Sequence, residues 1–229
     1  MLAILYDIHG NRPALEAVLD HAQEQGADRF LLGGDYSAFG AWPVECVTVL
    51  RALPDATWIR GNWERWQAEP GALPDDATIQ GAAAWVNEQL GEALVAELAA
   101  LPASVVLDDT LFCHASPGSD IEPFSPEADP DGDDQLLAGV AQRRVVFGHT
   151  HRQFARRSAS GIELVNAGSV GLPWDGDERA AYATLDDDGQ VGLHRVTYDY
   201  ETARRALAEI EEAWTVRTGR RLEQARFDV

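Results

Sequence analysis

Asp7-Ile8-His9-Gly10-Asn11, arriving directly after the apolar run Leu2-Ala3-Ile4-Leu5-Tyr6, is the stretch from which the fold is read. Five apolar residues are the length of a buried strand. Open α/β sheets carry their ligand sites just beyond the carboxyl ends of the strands, so chemistry is expected at Asp7. Asp7 and His9 are two residues apart, and at a strand end residues i and i+2 point the same way. One carboxylate oxygen and one imidazole nitrogen would then converge on a point, as a borderline metal ion requires. Taken alone, the pair is more often a polar turn than a metal site.

The rest of the chain repeats the arrangement. Leu31-Leu32-Gly33-Gly34-Asp35 ends in glycines and an Asp, and Thr57-Trp58-Ile59-Arg60-Gly61-Asn62 ends in an Asn. Thr110-Leu111-Phe112-Cys113-His114 ends in a His, and Val145-Val146-Phe147-Gly148-His149-Thr150-His151 ends in Gly-His-x-His. Five predicted strands each end in a potential ligand. Unrelated polar turns would have to produce that ending five times over.

Composition sets the frame. The chain has 229 residues, 45% of them hydrophobic, which is ample material for a core. The interleaved strands favour a single domain over 1–229. A net charge of −20 argues against a nucleic-acid polymer or an anionic membrane surface as the main partner. All 18 basic residues are Arg, which reads as coding bias and not as eighteen guanidinium functions. Cys46 and Cys113 fit neither a zinc spacing nor a disulfide framework, so a reducing, cytoplasmic setting is expected. Asp7 comes too early for a signal peptide, and no stretch is long enough to span a membrane. Self-association as a homo-oligomer is left open.

Taken in order, a helix is predicted over about 13–25, closed by Gly26, and a second from Pro43 carrying Val44, Val47, Leu50 and Leu53. Alternating strand and helix implies right-handed crossovers and a largely parallel sheet. Residues 64–101 form a helical insertion broken near Gly91, which reads as a lid over the Asn62 end or as an ordinary packing pair. A hairpin turns at Asp108-Asp109. Residues 117–134 read as an acidic loop, whose Asp129, Asp131, Asp133 and Asp134 lack the last glutamate of a calcium loop, and 135–140 as a short helix. Strands follow near 153–157, 162–165, 181–185 and 191–197, mostly antiparallel, and an amphipathic helix covers about 200–214. His21 reads as a surface residue and His194 as a structural one.

The ordered set Asp7-x-His9, Gly34-Asp35, Gly61-Asn62, His114 and Gly148-His149-Thr150-His151 resembles the calcineurin-like metallophosphoesterases over residues 2 to about 197. Asn166-Ala167-Gly168-Ser169-Val170-Gly171 is similar to a stretch of their small bacterial and archaeal phosphodiesterase branch, with Ala167 where Pro is usual. The resemblance implies an α/β fold with α+β character: a four-layer sandwich of two mixed β-sheets flanked by helices.

It further implies two divalent ions, manganese first, with iron, zinc or nickel as alternatives. One would take Asp7, His9, Asp35 and His151, the other Asp35, Asn62, His114 and His149, with Asp35 bridging. The implied activity is hydrolysis of phosphodiesters, and of activated phosphomonoesters, by a metal-bridging hydroxide attacking in line. Asp35, Asn62 and His114 would act through it. A small phosphate ester is the expected substrate. Arg60, Arg65 and Arg152 lie beside ligand positions as candidate phosphate contacts, and Asn11 and Ser169 as polar neighbours that could touch substrate or support ligands. The family's usual leaving-group acid is a His after the Asn, but here it is Trp63, whose indole is no acid near pH 7. Glu64 is the neighbouring substitute. The alternative is a non-catalytic scaffold, as in the retromer subunit that resembles this family.

Overall fold

The computed structural model describes residues 1–229. The first half runs β1 (Leu2–Leu5), α1 (Arg12–Glu24), β2 (Arg29–Leu32), α2 (Pro43–Arg51), β3 (Ala56–Trp58), α3 (Asn62–Ala68), α4 (Ala77–Ala99), β4 (Ser104–Leu107) and β5 (Thr110–Cys113). The second half runs α5 (Pro130–Leu136), β6 (Arg144–Phe147), β7 (Phe154–Arg157), β8 (Glu163–Asn166), β9 (Ala180–Leu185), β10 (Val191–Val196), α6 (Tyr200–Glu209) and α7 (Ala213–Gln224).

β1 sits at the centre of a five-stranded sheet ordered β10-β9-β1-β2-β3. It is parallel to β2, which is parallel to β3, and antiparallel to β9. The second sheet is ordered β4-β5-β6-β8-β7, with β5, β6 and β8 parallel and the two edges antiparallel. Both sheets are therefore mixed, as expected.

Period-two alternation explains the stacking. Leu2 and Ile4 join Leu31, Phe112, Val146, Val165 and Ala183 in the core between the sheets. Ala3 and Leu5 face the other way, onto Leu15 and Val18 of α1, Val47 and Leu50 of α2, and Val86 and Leu98 of α4. Slipping β1 by one residue would exchange these faces. Each fully buried aliphatic side chain contributes about 1.5–3 kcal/mol, so the register is well specified. The outer face of the second sheet is covered by Phe124 and Leu137.

The element boundaries differ from expectation in two places. The helix expected over 135–140 lies earlier, because Asp129 caps Gly132 N at 3.2 Å and Pro130 suits the first turn. The single helix expected over 200–214 is two helices. Ile210 is extended, α6 is capped by Asp199, and α7 continues to Gln224, anchored by Trp214 against Trp85. The insertion after Asn62 also divides its work. Trp66 and Ile79 edge a cleft, whereas Val86, Leu90 and Leu98 pack on the first sheet. α4 kinks at Gly91, whose φ is +74°.

The acidic run 129–134 is not a free cation loop, since Asp133 is buried and its carboxylate is clamped by Arg156.

Candidate metal centre

The seven candidate ligands lie beyond the carboxyl ends of β1, β2, β5 and β6 and, after β3, at the start of α3. Asp7 and His9 do not converge by the alternation of a strand. β1 stops at Leu5, and both residues are left-handed, with φ of 54° and 49°. Asp35, His149 and His151 share that conformation, with φ of 56°, 63° and 55°. Each such residue costs of order 1–3 kcal/mol, and the surroundings must hold it. Asp7 N donates to Gly34 O at 3.1 Å and His9 N to Asp35 O at 2.9 Å, lacing two strained turns together. Gly171 N and Ser169 Oγ both donate to Asp7 O, at 3.0 and 2.8 Å. Gly61 is required by close approach, because a Cβ there would strike Asp35 Oδ1 and the His114 ring.

Three imidazoles are oriented from behind. Nδ1 of His9 meets Ala38 O at 3.2 Å, Nδ1 of His114 meets Gly33 O at 2.9 Å, and Nδ1 of His151 meets Leu172 O. A carbonyl only accepts, so each Nδ1 carries the hydrogen and each Nε2 turns a lone pair inward. His9 Nε2 and His151 Nε2 are 3.0 Å apart, the separation of two nitrogens bound at right angles about 2.1 Å from one ion. Asp7 Oδ1 lies 3.6 Å from His151 Nε2, 3.7 Å from His114 Nε2 and 4.0 Å from His9 Nε2. It is buried and has no hydrogen-bond partner. The Asn62 amide oxygen faces only acceptors, 3.0 Å from His114 Nε2 and 2.9 Å from His149 Nδ1. Rotating that amide would make hydrogen bonds, but a cation equally resolves the crowding of lone pairs. The residues present therefore fit a metal. Asp7 belongs to both convergent groups, one with His9 and His151 and one with Asp35 and His114.

Without a cation the electrostatics are unbalanced. Burial pushes the Asp7 carboxyl well above its usual range. Burial opposes charge on His114, but Asp35 outweighs it and raises the imidazole to about 10. Burial would also raise Asp35, yet His114 holds it below the carboxylate range. Burial lowers His9 and His149 to about 4, against some recovery from Asp35, and lowers His151 further still. A cation bound among these groups would favour the deprotonated forms of Asp7 and His114, whose lone pairs it would take, so metal binding would release protons.

The other sequence candidates are placed differently. Arg65 clamps Asp120 at 2.6 and 2.7 Å, Arg60 reaches the same carboxylate at 3.2 Å, and neither lines the cleft beside the cluster. Asn11 caps α1 through Ala14 N and donates to Gly171 O at 2.8 Å. Ser169 supports Asp7 from behind. Glu64 turns away from the cluster and accepts from the amides of Asp35, Tyr36 and Gly61 at 2.9, 2.9 and 2.8 Å. It is a brace for the turn and not a substitute acid. Trp63 does line the cleft, packed on Phe39 and Trp66. Arg152 is the one predicted arginine on that wall.

The cleft holds about 680 Å³. Trp174, stacked on His151 at 3.6 Å and 16°, Arg221, Arg226 and Phe227 complete it. None of these four carries a sequence signal. They come from a loop, from the last turns of α7 and from the segment after it, and folding alone brings them to the cluster.

His21 is less exposed than its sequence suggests, with Nδ1 2.7 Å from the Tyr182 hydroxyl. His194 stacks on Tyr182 and bonds Thr184 Oγ1 at 2.9 Å, so it is structural, as read.

A profile of the calcineurin-like phosphoesterase superfamily domain matches residues 1–189. The chain belongs to that superfamily. It is a hydrolase of phosphoric ester bonds, from a metal-dependent family. Its fold is similar to that of a metallophosphoesterase from Sphaerobacter thermophilus, at 26% identity, TM-score 0.80, 98% of this chain and 99% of that one. A hypothetical protein from Pyrococcus horikoshii shares the fold at 19% identity and TM-score 0.81, over 91% and 93% of the two chains. An uncharacterized protein of Methanocaldococcus jannaschii is 28% identical over 91% of this chain and 92% of that one. No helix is long and apolar enough to cross a membrane.

Proposed function

We propose that the phosphoesterase acts on small phosphodiesters, and secondarily on activated monoesters, at a centre holding two divalent ions, manganese first among them. His9, His151, Asp7 and Asp35 would hold one ion, and Asp35, Asn62, His114 and His149 the other. The observation that carries this reading is the unpartnered, buried Asp7 Oδ1 among three inward-facing Nε2 atoms. A scaffold that bound no metal would have to bury these lone pairs against one another at a standing cost.

The ions, when bound, offset charge on the phosphoryl oxygens and lower the pKa of a water. The chain's own residues orient and exclude. Carbonyls of Gly33, Ala38 and Leu172 fix three imidazole tautomers. The Trp63 amide holds Asp35 Oδ1 at 2.9 Å, and the His149 amide holds Asp7 Oδ2 at 2.8 Å. Glu64 braces the Asp35 turn. Trp63 and Trp174 keep bulk water from two sides of the cleft, and Arg152 supplies positive charge at its wall.

The test is metal analysis of the purified protein together with hydrolysis of bis(p-nitrophenyl) phosphate and p-nitrophenyl phosphate after manganese loading. About two ions per chain and faster diester turnover are expected. A protein that retains no ion and cleaves neither ester would overturn the proposal.

A further inference from the structure

Arg221 is a cleft-lining cation buried without a counter-charge. It is 4% exposed, near the end of α7, and beyond residue 189 where the superfamily match stops. Its Nε donates to Phe227 O at 3.0 Å, and its terminal nitrogens have no protein acceptor. The guanidinium lies 4.2 Å from the Phe227 ring centroid and 5.7 Å from that of Trp174. Of the acids nearby, Asp76 is committed to Arg217 at 3.1 Å and Asp175 to Arg195, while Asp228 lines the same cleft without forming a salt bridge to Arg221. Burial, with Arg217 adding to it, lowers the Arg221 pKa to about 10. A buried charge left unpaired is costly, and the cost is relieved when an anion arrives. A planar guanidinium stacked on aromatic rings is also preorganised for bidentate phosphate recognition.

The rings around it offer a second kind of contact. Trp174 stacks on His151 with one face, and its ring centroid lies 4.7 Å from that of Phe227 with the planes tilted 55°. Phe227 is 52% exposed, an unusual state for a large aromatic residue at the rim of a cleft. Cation, aromatic walls and metal cluster thus lie in one continuous cavity, which is much larger than a lone phosphate needs.

We propose that Arg221, Phe227 and Trp174 form a subsite for a second, non-scissile phosphate and the planar base attached to it. The substrates would then be nucleotides carrying at least one phosphate besides the one being hydrolysed. This deepens, and rests on, the phosphoesterase reading of the adjacent centre. Hydrolysis adds the elements of water across the scissile P–O bond and leaves the second phosphate in place on Arg221.

Calorimetric titration of the manganese-loaded protein with inorganic phosphate, AMP, methylenediphosphonate and α,β-methylene-ADP tests the subsite without turnover. The ADP analogue should bind at least about tenfold tighter than AMP or phosphate, and tighter than methylenediphosphonate. Arg221→Gln should remove the tenfold preference over AMP. Phe227→Ala, at an exposed position where folding is not at stake, should narrow the gap to methylenediphosphonate. Equal affinities in the wild type, or both variants keeping the wild-type preferences, would overturn the subsite. Parallel hydrolysis of bis(p-nitrophenyl) phosphate separates the two proposals. Turnover without the ADP preference sinks only the subsite, and the preference without turnover sinks only the phosphodiesterase reading.

Discussion

The backbone amide of Trp63 donates to Asp35 Oδ1 at 2.9 Å, so the residue standing where the family places a histidine still orients the carboxylate expected to bridge the ions. The side chain does different work. It is 1% exposed, 4.8 Å from Phe39 and 6.2 Å from Trp66 between ring centroids, and its indole nitrogen has no partner. The main-chain role tolerates any residue but proline there, whereas the side-chain role does not.

Trp63→His should therefore keep the Asp35 anchor but lose packing, by less than the ~3–5 kcal/mol typical of truncating a Trp to Ala. With no acid beside Asn62, the wild-type rate should fall steeply as leaving-group pKa rises. General acids contribute about 10²–10⁴-fold, most where the leaving group is poor. The variant should show a shallower dependence when kcat/KM is measured over graded aryl and alkyl diesters. Equal slopes would mean that the ring does not reach the leaving oxygen.

Substitution of the carboxylates identifies the bridge. Asp35→Asn should lower activity at least about 10²-fold, since the ions supply several kcal/mol of transition-state stabilisation. It should also empty both sites by metal analysis, whereas Asp7→Asn should empty one. Asp7 belongs to both convergent groups of ligand atoms, so the reverse result would make Asp7 the bridge. His149→Ala and His151→Ala should each cost one ion, and His21→Ala and His194→Ala none.

Arg65 answers a different question. Its bidentate pair with the half-buried Asp120 fixes the segment whose backbone carbonyl faces Asn62 and whose Pro123 lines the cleft. Arg65→Ala should lower the melting temperature and cost on the order of 1–3 kcal/mol, because the Asp120 carboxylate is left without its main partner. A direct phosphate contact predicts a large rise in KM instead. Unfolding curves and steady-state kinetics on one preparation decide between them.

His194 gives the stability a pH dependence remote from the cluster. Burial, with His21 adding to it, lowers its pKa below the ordinary 6.5. As pH falls through about 6.5 the unfolded chain takes up a proton that the folded chain resists. The contribution of His194 is thus present above that pH and lost below it. Relative to His194→Gln, the wild type should lose stability between pH 7.5 and 5.5 in urea unfolding, the two proteins holding equal metal at each pH. A difference that does not change with pH would show that His194 titrates normally when folded.

The sequence alone determined the family, the alternation of strands and helices in the first half and the seven candidate ligands that the fold then brings together. Each follows from a short local pattern, an apolar run and then a polar residue with a glycine beside it, and those patterns need no knowledge of the rest of the chain. The way Asp7 and His9 converge was not legible, because left-handed backbone at a non-glycine residue is imposed by the laced turns around it. The roles of Arg60, Arg65 and Glu64 were decided only by the tertiary structure. A charge next to a ligand in sequence can point either way, and Asp120 and three backbone amides claimed them. The cleft wall of Trp174, Arg221 and Phe227 is assembled from residues distant in sequence, with no periodicity or motif to mark them. Local patterns can specify which atoms carry chemistry, but the company those atoms keep depends on long-range packing, which is a property of the folded chain as a whole.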